Sequence, residues 1–139
     1  MTGAGAAPGA DAAARASILV VEDDPDLLSL VEMILADEGY RVRTAREGGE
    51  ALRRVSEEMP GLVFLDMRMP GMNGWEFARE FRARHGAACP IVVVTAAEDA
   101  RRRAEEIAAQ GWIAKPFQIA DVLAAAARHV GAPDGLGAR

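Results

Sequence analysis

Three short, unbroken apolar runs constrain this chain more than any other feature: ILVV at 18–21, LVFL at 62–65 and IVVV at 91–94. Runs of that length, built from Val, Ile and Leu, read as strands covered on both faces, and such strands belong to parallel sheets. Parallel strands need crossovers, and the segments between the runs supply them with a helical period. PDLLSLVEMILADEG sets Leu27, Leu28, Val31, Ile34 and Leu35 on one stripe, with Asp24 as N-cap, Pro25 at the first helical position and Gly39 as C-cap. EGGEALRRVSEEM presents Ala51, Leu52, Val55 and Met59, and WEFAREFRARHG presents Phe77, Ala78 and Phe81. EDARRRAEEIAAQ reads as a mostly polar helix, and IADVLAAAARHV as a last helix with Ile119, Val122, Leu123 and Ala126 inward. YRVRT and WIA complete the set of strands. The reading is an α/β chain of five βα units, doubly wound by right-handed crossovers.

Such a sheet binds ligands beyond the carboxyl ends of its strands, where strand order reverses. The polar residues gather there: Glu22, Asp23 and Asp24 after the first run, Asp66 after LVFL, Thr95 after IVVV, and Lys115 after WIA. With order 2-1-3-4-5, strands one and three are neighbours at the reversal, and the carboxylates share one crevice. Carboxylates that close repel unless a cation lies between them. All the donors are hard oxygens, so Mg2+ is the expected ion. An acid beside such an ion, a hydroxyl and an ammonium has the parts for phosphoryl transfer, with Asp66 as nucleophile.

ILVVEDD, LDMRMPGMNG, VVVTA and KPF, in that order, resemble the receiver domain of bacterial two-component response regulators, from about Ile18 to Val130. The resemblance implies a flavodoxin-like sandwich with Asp66 as phosphoacceptor, and Asp23 as direct metal ligand with Glu22 beside it. It further implies the backbone carbonyl of Arg68 as another ligand, Thr95 and Lys115 as the phosphate-contacting pair, and a cis Lys115–Pro116 bond. Thr95 and Trp112 correspond to the switch pair. Two departures stand out: Trp112 replaces the usual Tyr or Phe, and the twenty residues from Thr95 to Lys115 are about two fewer than usual.

The expected organisation is a tail over 1–16, a receiver domain over 17–131 and a second tail over 132–139. The expected function is a stand-alone response regulator, phosphorylated by a partner histidine kinase or phosphotransfer protein and acting on a downstream protein by contact. It would be no enzyme toward an external substrate. One alternative is a binding-only pseudo-receiver, against which the intact acidic pair, Asp66, Thr95 and Lys115 all speak. Another is an aspartyl-phosphate hydrolase, which commonly carries a second acid two residues after the nucleophile, where Arg68 stands.

Charge and composition narrow the partners. A net charge of −5 argues against a broad phosphate-binding surface and hence against direct nucleic-acid binding. No apolar run approaches a bilayer span, so no membrane insertion is expected. The N-terminal stretch lacks the apolar core of a secretory signal, and the single cysteine, Cys89, fits a reducing compartment, so a cytoplasmic monomer or weak dimer is expected. RRRAEE at 101–106 reads as a solvated helix face, His85 and His129 as charges near helix ends, and Cys89 as structural.

Overall fold

In the computed structural model, which describes residues 16–133, five parallel strands lie in the order β2-β1-β3-β4-β5. They are β1 (Ile18–Val21), β2 (Val42–Ala45), β3 (Leu62–Leu65), β4 (Ile91–Ala96) and β5 (Gly111–Lys115). The helices are α1 (Pro25–Glu38), α2 (Gly48–Glu57), α3 (Gly74–His85), α4 (Ala100–Glu106) and α5 (Ile119–Val130). This is the doubly wound arrangement the alternation implied and the flavodoxin-like sandwich the resemblance implied. The two expected tails fall almost wholly on residues 1–15 and 134–139, outside the described residues.

Strand parity sorts the core into two layers. Leu19, Val21, Val63, Leu65, Ile91 and Val93 face α2 and α3, where Leu52, Val55, Phe77 and Phe81 meet them. Ile18, Val20, Leu62, Phe64, Val92 and Val94 face the opposite side, against Leu28, Val31, Ile34 and Leu35 of α1 and Val122 and Ala126 of α5. Each large side chain buried in this way contributes roughly 1.5–3 kcal/mol from apolar transfer, which the ordering of the chain largely offsets. Phe77 and Phe81 stack at a centroid distance of 5.4 Å. Cys89 is buried in the first layer, and burial pushes its thiol up to about 12, which leaves it an inert packing group.

Local chemistry sets most of the boundaries. Asp24 accepts from Asp26 N at 2.9 Å and Leu27 N at 3.3 Å, and Gly39 closes α1 at φ 109°. An Asn73–Glu76 capping box starts α3. Glu47, an unusual capping residue, accepts from Gly49 N at 2.6 Å and Glu50 N at 3.0 Å to start α2. The far end of α2 is satisfied from β2: the Arg43 guanidinium donates to the Glu58 carbonyl at 2.7 Å and to the Arg54 carbonyl.

Some expectations fail for stated reasons. Met59 lies beyond α2 and is 37% exposed: Glu58 is extended, and Pro60 disfavours a helical conformation for the residue before it. Ile119 is 59% exposed rather than inward, because as the first residue of α5 it precedes the turn that meets the sheet. The fourth helix stops at Glu106, with Ala108 at φ 53°. Gln110 then serves β4 instead of a helix: its side-chain oxygen accepts from Ile91 N at 2.8 Å, and its own N–H donates to Ile91 O at 2.9 Å.

At the far end of the sheet, Gly61 admits β3 between the two ends of the folded body. A Cβ there would lie 2.6 Å from Val130 Cγ1 and 2.7 Å from Ala16 Cβ.

Candidate functional site

Asp66 extends the central ladder rather than leaving it. Its N–H donates to Val21 O at 3.0 Å, and Glu22 N donates to Ala45 O at the same distance. The two acids therefore emerge side by side from neighbouring strands, and both are buried. The loop after Asp66 is pinned from below. Gly74 opens α3 directly beneath it, where a Cβ would lie 2.6 Å from Met67 Sδ and 2.7 Å from Met67 Cα. The turn before it uses Gly71 at φ 69°, a conformation a side chain would strain.

Glu22, Asp23 and Asp66 each offer a carboxylate oxygen within 4.8 Å of the others. Lys115 closes the group from β5, with Nζ 3.3 Å from Glu22 Oε1 and 3.8 Å from Asp66 Oδ1. Backbone amides complete the shell: Asp24 N donates to Glu22 Oε2 and Arg68 N to Asp66 Oδ1, both at 3.2 Å. Thr95 is buried two residues beyond Val93, which pairs with Leu65, so it stands one residue past the level of Asp66 and beside Ala114 in the ladder.

The cluster is electrostatically uneasy. Burial, then the Asp66 charge, push Glu22 up to about 7, against the opposing pull of Lys115 and the Asp24 amide. Asp66 is raised as well, chiefly by burial, with Lys115 the largest influence in the other direction. A single ammonium does not balance three carboxylates, and both Glu22 and Asp66 are pushed toward their protonated forms. The clustered donors are all carboxylate oxygens, the hard donors that could hold a hard cation.

The structure brings Glu22, Asp23, Asp66 and Lys115 together as the sequence implied and sets Thr95 one residue past the level of Asp66. The Lys115–Pro116 bond is cis. Asp24 stands apart, used as the α1 cap. Trp112, the second residue of β5, pairs with Val93, which pairs with Leu65, so its backbone lies one residue short of the Asp66 level. Its ring is turned outward, 49% exposed, beside a concavity shared with Ala114, Pro116, Ala124 and Arg128.

Sequence reasoning missed a second group of polar residues around α4. Trp75 Nε1 donates to Glu106 Oε1 at 2.8 Å, and the Arg103 guanidinium lies 5.2 Å above the Trp75 ring. Arg101 and Glu105 do pair at 3.1 Å on a solvated face, as expected for RRRAEE, but Arg103 and Glu106 turn inward to α3. A tryptophan on the first turn of a helix, needing an acceptor for its N–H, was the available signal.

These features belong to a known class. Residues 18–127 match the response regulator receiver domain, and the chain belongs to that family. It is thus a component type of two-component signal transduction. The chain is 38% identical over 112 residues to the DNA-binding response regulator MtrA of Mycolicibacterium smegmatis, covering 79% of this chain and 48% of that protein. It is 39% identical over 104 residues to the regulatory protein VanRB of Enterococcus faecalis, covering 73% and 46%. This chain spans about half the length of these curated relatives. Among solved structures, the receiver domain of NtrX from Brucella abortus superposes with a TM-score of 0.75 at 32% identity, covering 82% of this chain and 98% of that one. The chemotaxis protein CheY4 of Vibrio cholerae gives 0.74 at 30% identity, with the same coverage. No helix among the described residues is long and apolar enough to cross a membrane.

Proposed function

We propose that this chain is a phosphorylation switch in which Asp66 accepts a phosphoryl group from a partner histidine kinase or phosphotransfer protein. The observation that carries the reading is the triad of Glu22, Asp23 and Asp66 oxygens within 4.8 Å, with one ammonium against them. In the transfer, an Asp66 carboxylate oxygen bonds to phosphorus as the P–N bond of the donor phosphohistidine breaks, and the imidazole leaves with the electron pair and takes a proton. Lys115 neutralises charge on the incoming oxygens, and the Thr95 hydroxyl donates to one of them. Gly74, packed against Met67, and the Arg68 amide, which donates to Asp66 Oδ1, fix the loop that carries Asp66.

Asp23, Asp66 and the Arg68 carbonyl would hold Mg2+, with Glu22 acting through water. When bound, the ion supplies the positive charge that lets one anion approach another. The carboxylate donor set and the upward shift at Glu22 support that assignment. The output is contact with a downstream protein, and the cellular setting is the cytoplasm. No chemistry on an external substrate is assigned, since Arg68 occupies the place of the second acid that aspartyl-phosphate hydrolases use.

Acetyl phosphate tests the reading directly. Mass spectrometry should show one acid-stable, base-labile phosphoryl group on Asp66, formed with Mg2+ and lost in EDTA and in Asp66→Asn. Labelling of Asp66→Asn at the unmodified protein's level would overturn the assignment. Full absence of labelling in the unmodified protein would favour a binding-only domain.

A further inference from the structure

A chain of charged contacts leads out of the candidate site toward α4. The Arg68 guanidinium lies 3.6 Å from Asp99 Oδ2, and Asp99 Oδ1 lies 3.7 Å from Arg103 Nη2. Arg103 Nη1 then donates to both Glu106 oxygens, at 3.2 and 3.1 Å, and stacks its guanidinium over Trp75. Glu106 in turn accepts from the Trp75 indole, so α4 is fastened to the first turn of α3.

Two details show how much of α4's placement depends on this chain. The helix has seven residues and buries only Ala100 and Ala104. Asp99 is its N-cap residue, yet its carboxylate makes no bond to the helix amides and is held between two arginines instead. The Asp99 and Arg103 side chains are largely sheltered, at 18% exposure each, whereas Arg68 is 70% exposed and free to turn. Arg68 also belongs to the phosphoacceptor loop: its own amide is on Asp66 Oδ1.

A phosphoryl group on Asp66 would place a doubly charged, multi-oxygen acceptor two residues from that guanidinium. Arginine's planar fork favours such an acceptor over one carboxylate oxygen at 3.6 Å. We propose that Arg68 is a two-position arm, paired with Asp99 while Asp66 is free and with the phosphoryl oxygens once Asp66 is modified. Its departure leaves Asp99 to draw on Arg103, which is at present divided between Asp99, Glu106 and the Trp75 ring. The Trp75–Glu106 fastening weakens, and α4 gains freedom against α3. Arg68 acts here as a positioning residue, and the signal needs no inward turn of Trp112. The inference rests on the reading of Asp66 as phosphoacceptor. It has the differential contact that a two-state element requires, because the arm cannot hold both partners.

The test uses Trp112→Phe, in which Trp75 is the remaining tryptophan, at saturating Mg2+ with and without beryllofluoride. Fluorine NMR reports the occupancy of Asp66 independently. The expected result is that iodide quenching of Trp75 rises at least about twofold on beryllofluoride binding, as the indole loses its charged partners. Adding Asp99→Asn uncouples the arm from α4, so that ratio should fall to about one while the fluorine signal persists, and Asp99→Glu should restore it. A bound fluorine signal with no change at Trp75 would overturn the arm and leave the phosphoacceptor reading intact. So would an undiminished Trp75 response in Asp99→Asn. No fluorine signal, together with no acetyl phosphate labelling, would overturn both.

Discussion

The first and fourth βα units are built from opposite materials. α1 runs fourteen residues, capped by Asp24 and Pro25 at one end and Gly39 at the other, with Leu28, Val31, Ile34 and Leu35 against the sheet. α4 runs seven residues, has no side-chain bond at its cap, buries two alanines, and is otherwise held by ion pairs and one tryptophan. Apolar burial does not depend on any single partner and resists change, whereas an ion pair can be exchanged for a better one. The candidate site draws from both kinds of unit: Glu22 follows β1, and Lys115 ends β5 just after α4. One side of the site is therefore anchored, and the other is attached to an element held by replaceable contacts.

The largest expected effect separates the two helices by their cores. Leu35→Ala should cost roughly 2–5 kcal/mol of global stability in urea melts, since Leu35 is fully buried under α1. Ala104→Gly in α4 should cost about 1 kcal/mol, with amide exchange accelerated in α4 and unchanged in α1. Global unfolding from Ala104→Gly as severe as that from Leu35→Ala would break the comparison.

Next in size is the charge balance between the units. Glu22 titrates near 7 in the folded chain and near 4.5 when unfolded, so the folded state holds the extra proton in between. Its stabilising contribution is fully present below about pH 4.5 and is lost as pH rises through 7. In EDTA, stability should therefore fall across that window by an amount on the order of 2 kcal/mol, and Mg2+ should restore it. Lys115→Ala should steepen the fall, because it removes the ammonium that opposes the upward shift. Denaturant melts at pH 5 and pH 8, each with EDTA and with Mg2+, measure all three.

Smaller effects sharpen the contrast at the helix termini and surface. Asp24→Ala leaves two α1 amides without an acceptor and should cost about 1 kcal/mol. Arg101→Ala removes an exposed i,i+4 pair and should change stability by less than about 0.5 kcal/mol. Thermal melts of the two variants side by side should keep that order.

What the sequence disclosed follows the same division. The anchored unit was legible because its signals are local: an Asp-Pro start, a 3.6-residue stripe and a closing glycine all lie in one stretch of chain. The carboxylate cluster was legible because strand-end residues of a parallel sheet converge once the strand order is known. Around α4 the sequence misled. Its pattern ran on to Gln110, but the helix stops at Glu106, and Gln110 is occupied with Ile91 across the sheet. The Trp75–Glu106 and Arg68–Asp99 pairs join residues 31 positions apart, and no local periodicity encodes them. Met59 and Ile119 were misplaced as core because an apolar side chain at a helix end need not reach the sheet.

The close packing at Gly61 has a practical consequence. Ala16 and Val130 meet at that glycine, so the chain enters and leaves the folded body at neighbouring points, at the opposite end of the sheet from Asp66. A surface tether or fluorophore attached at either point leaves the acidic crevice facing solution, ready for a partner. The same adjacency permits a short bridge between the two points, with new ends opened at the exposed turn over residues 86–88. Such a permutant would carry its attachment sites on a different edge while keeping the order of strands intact.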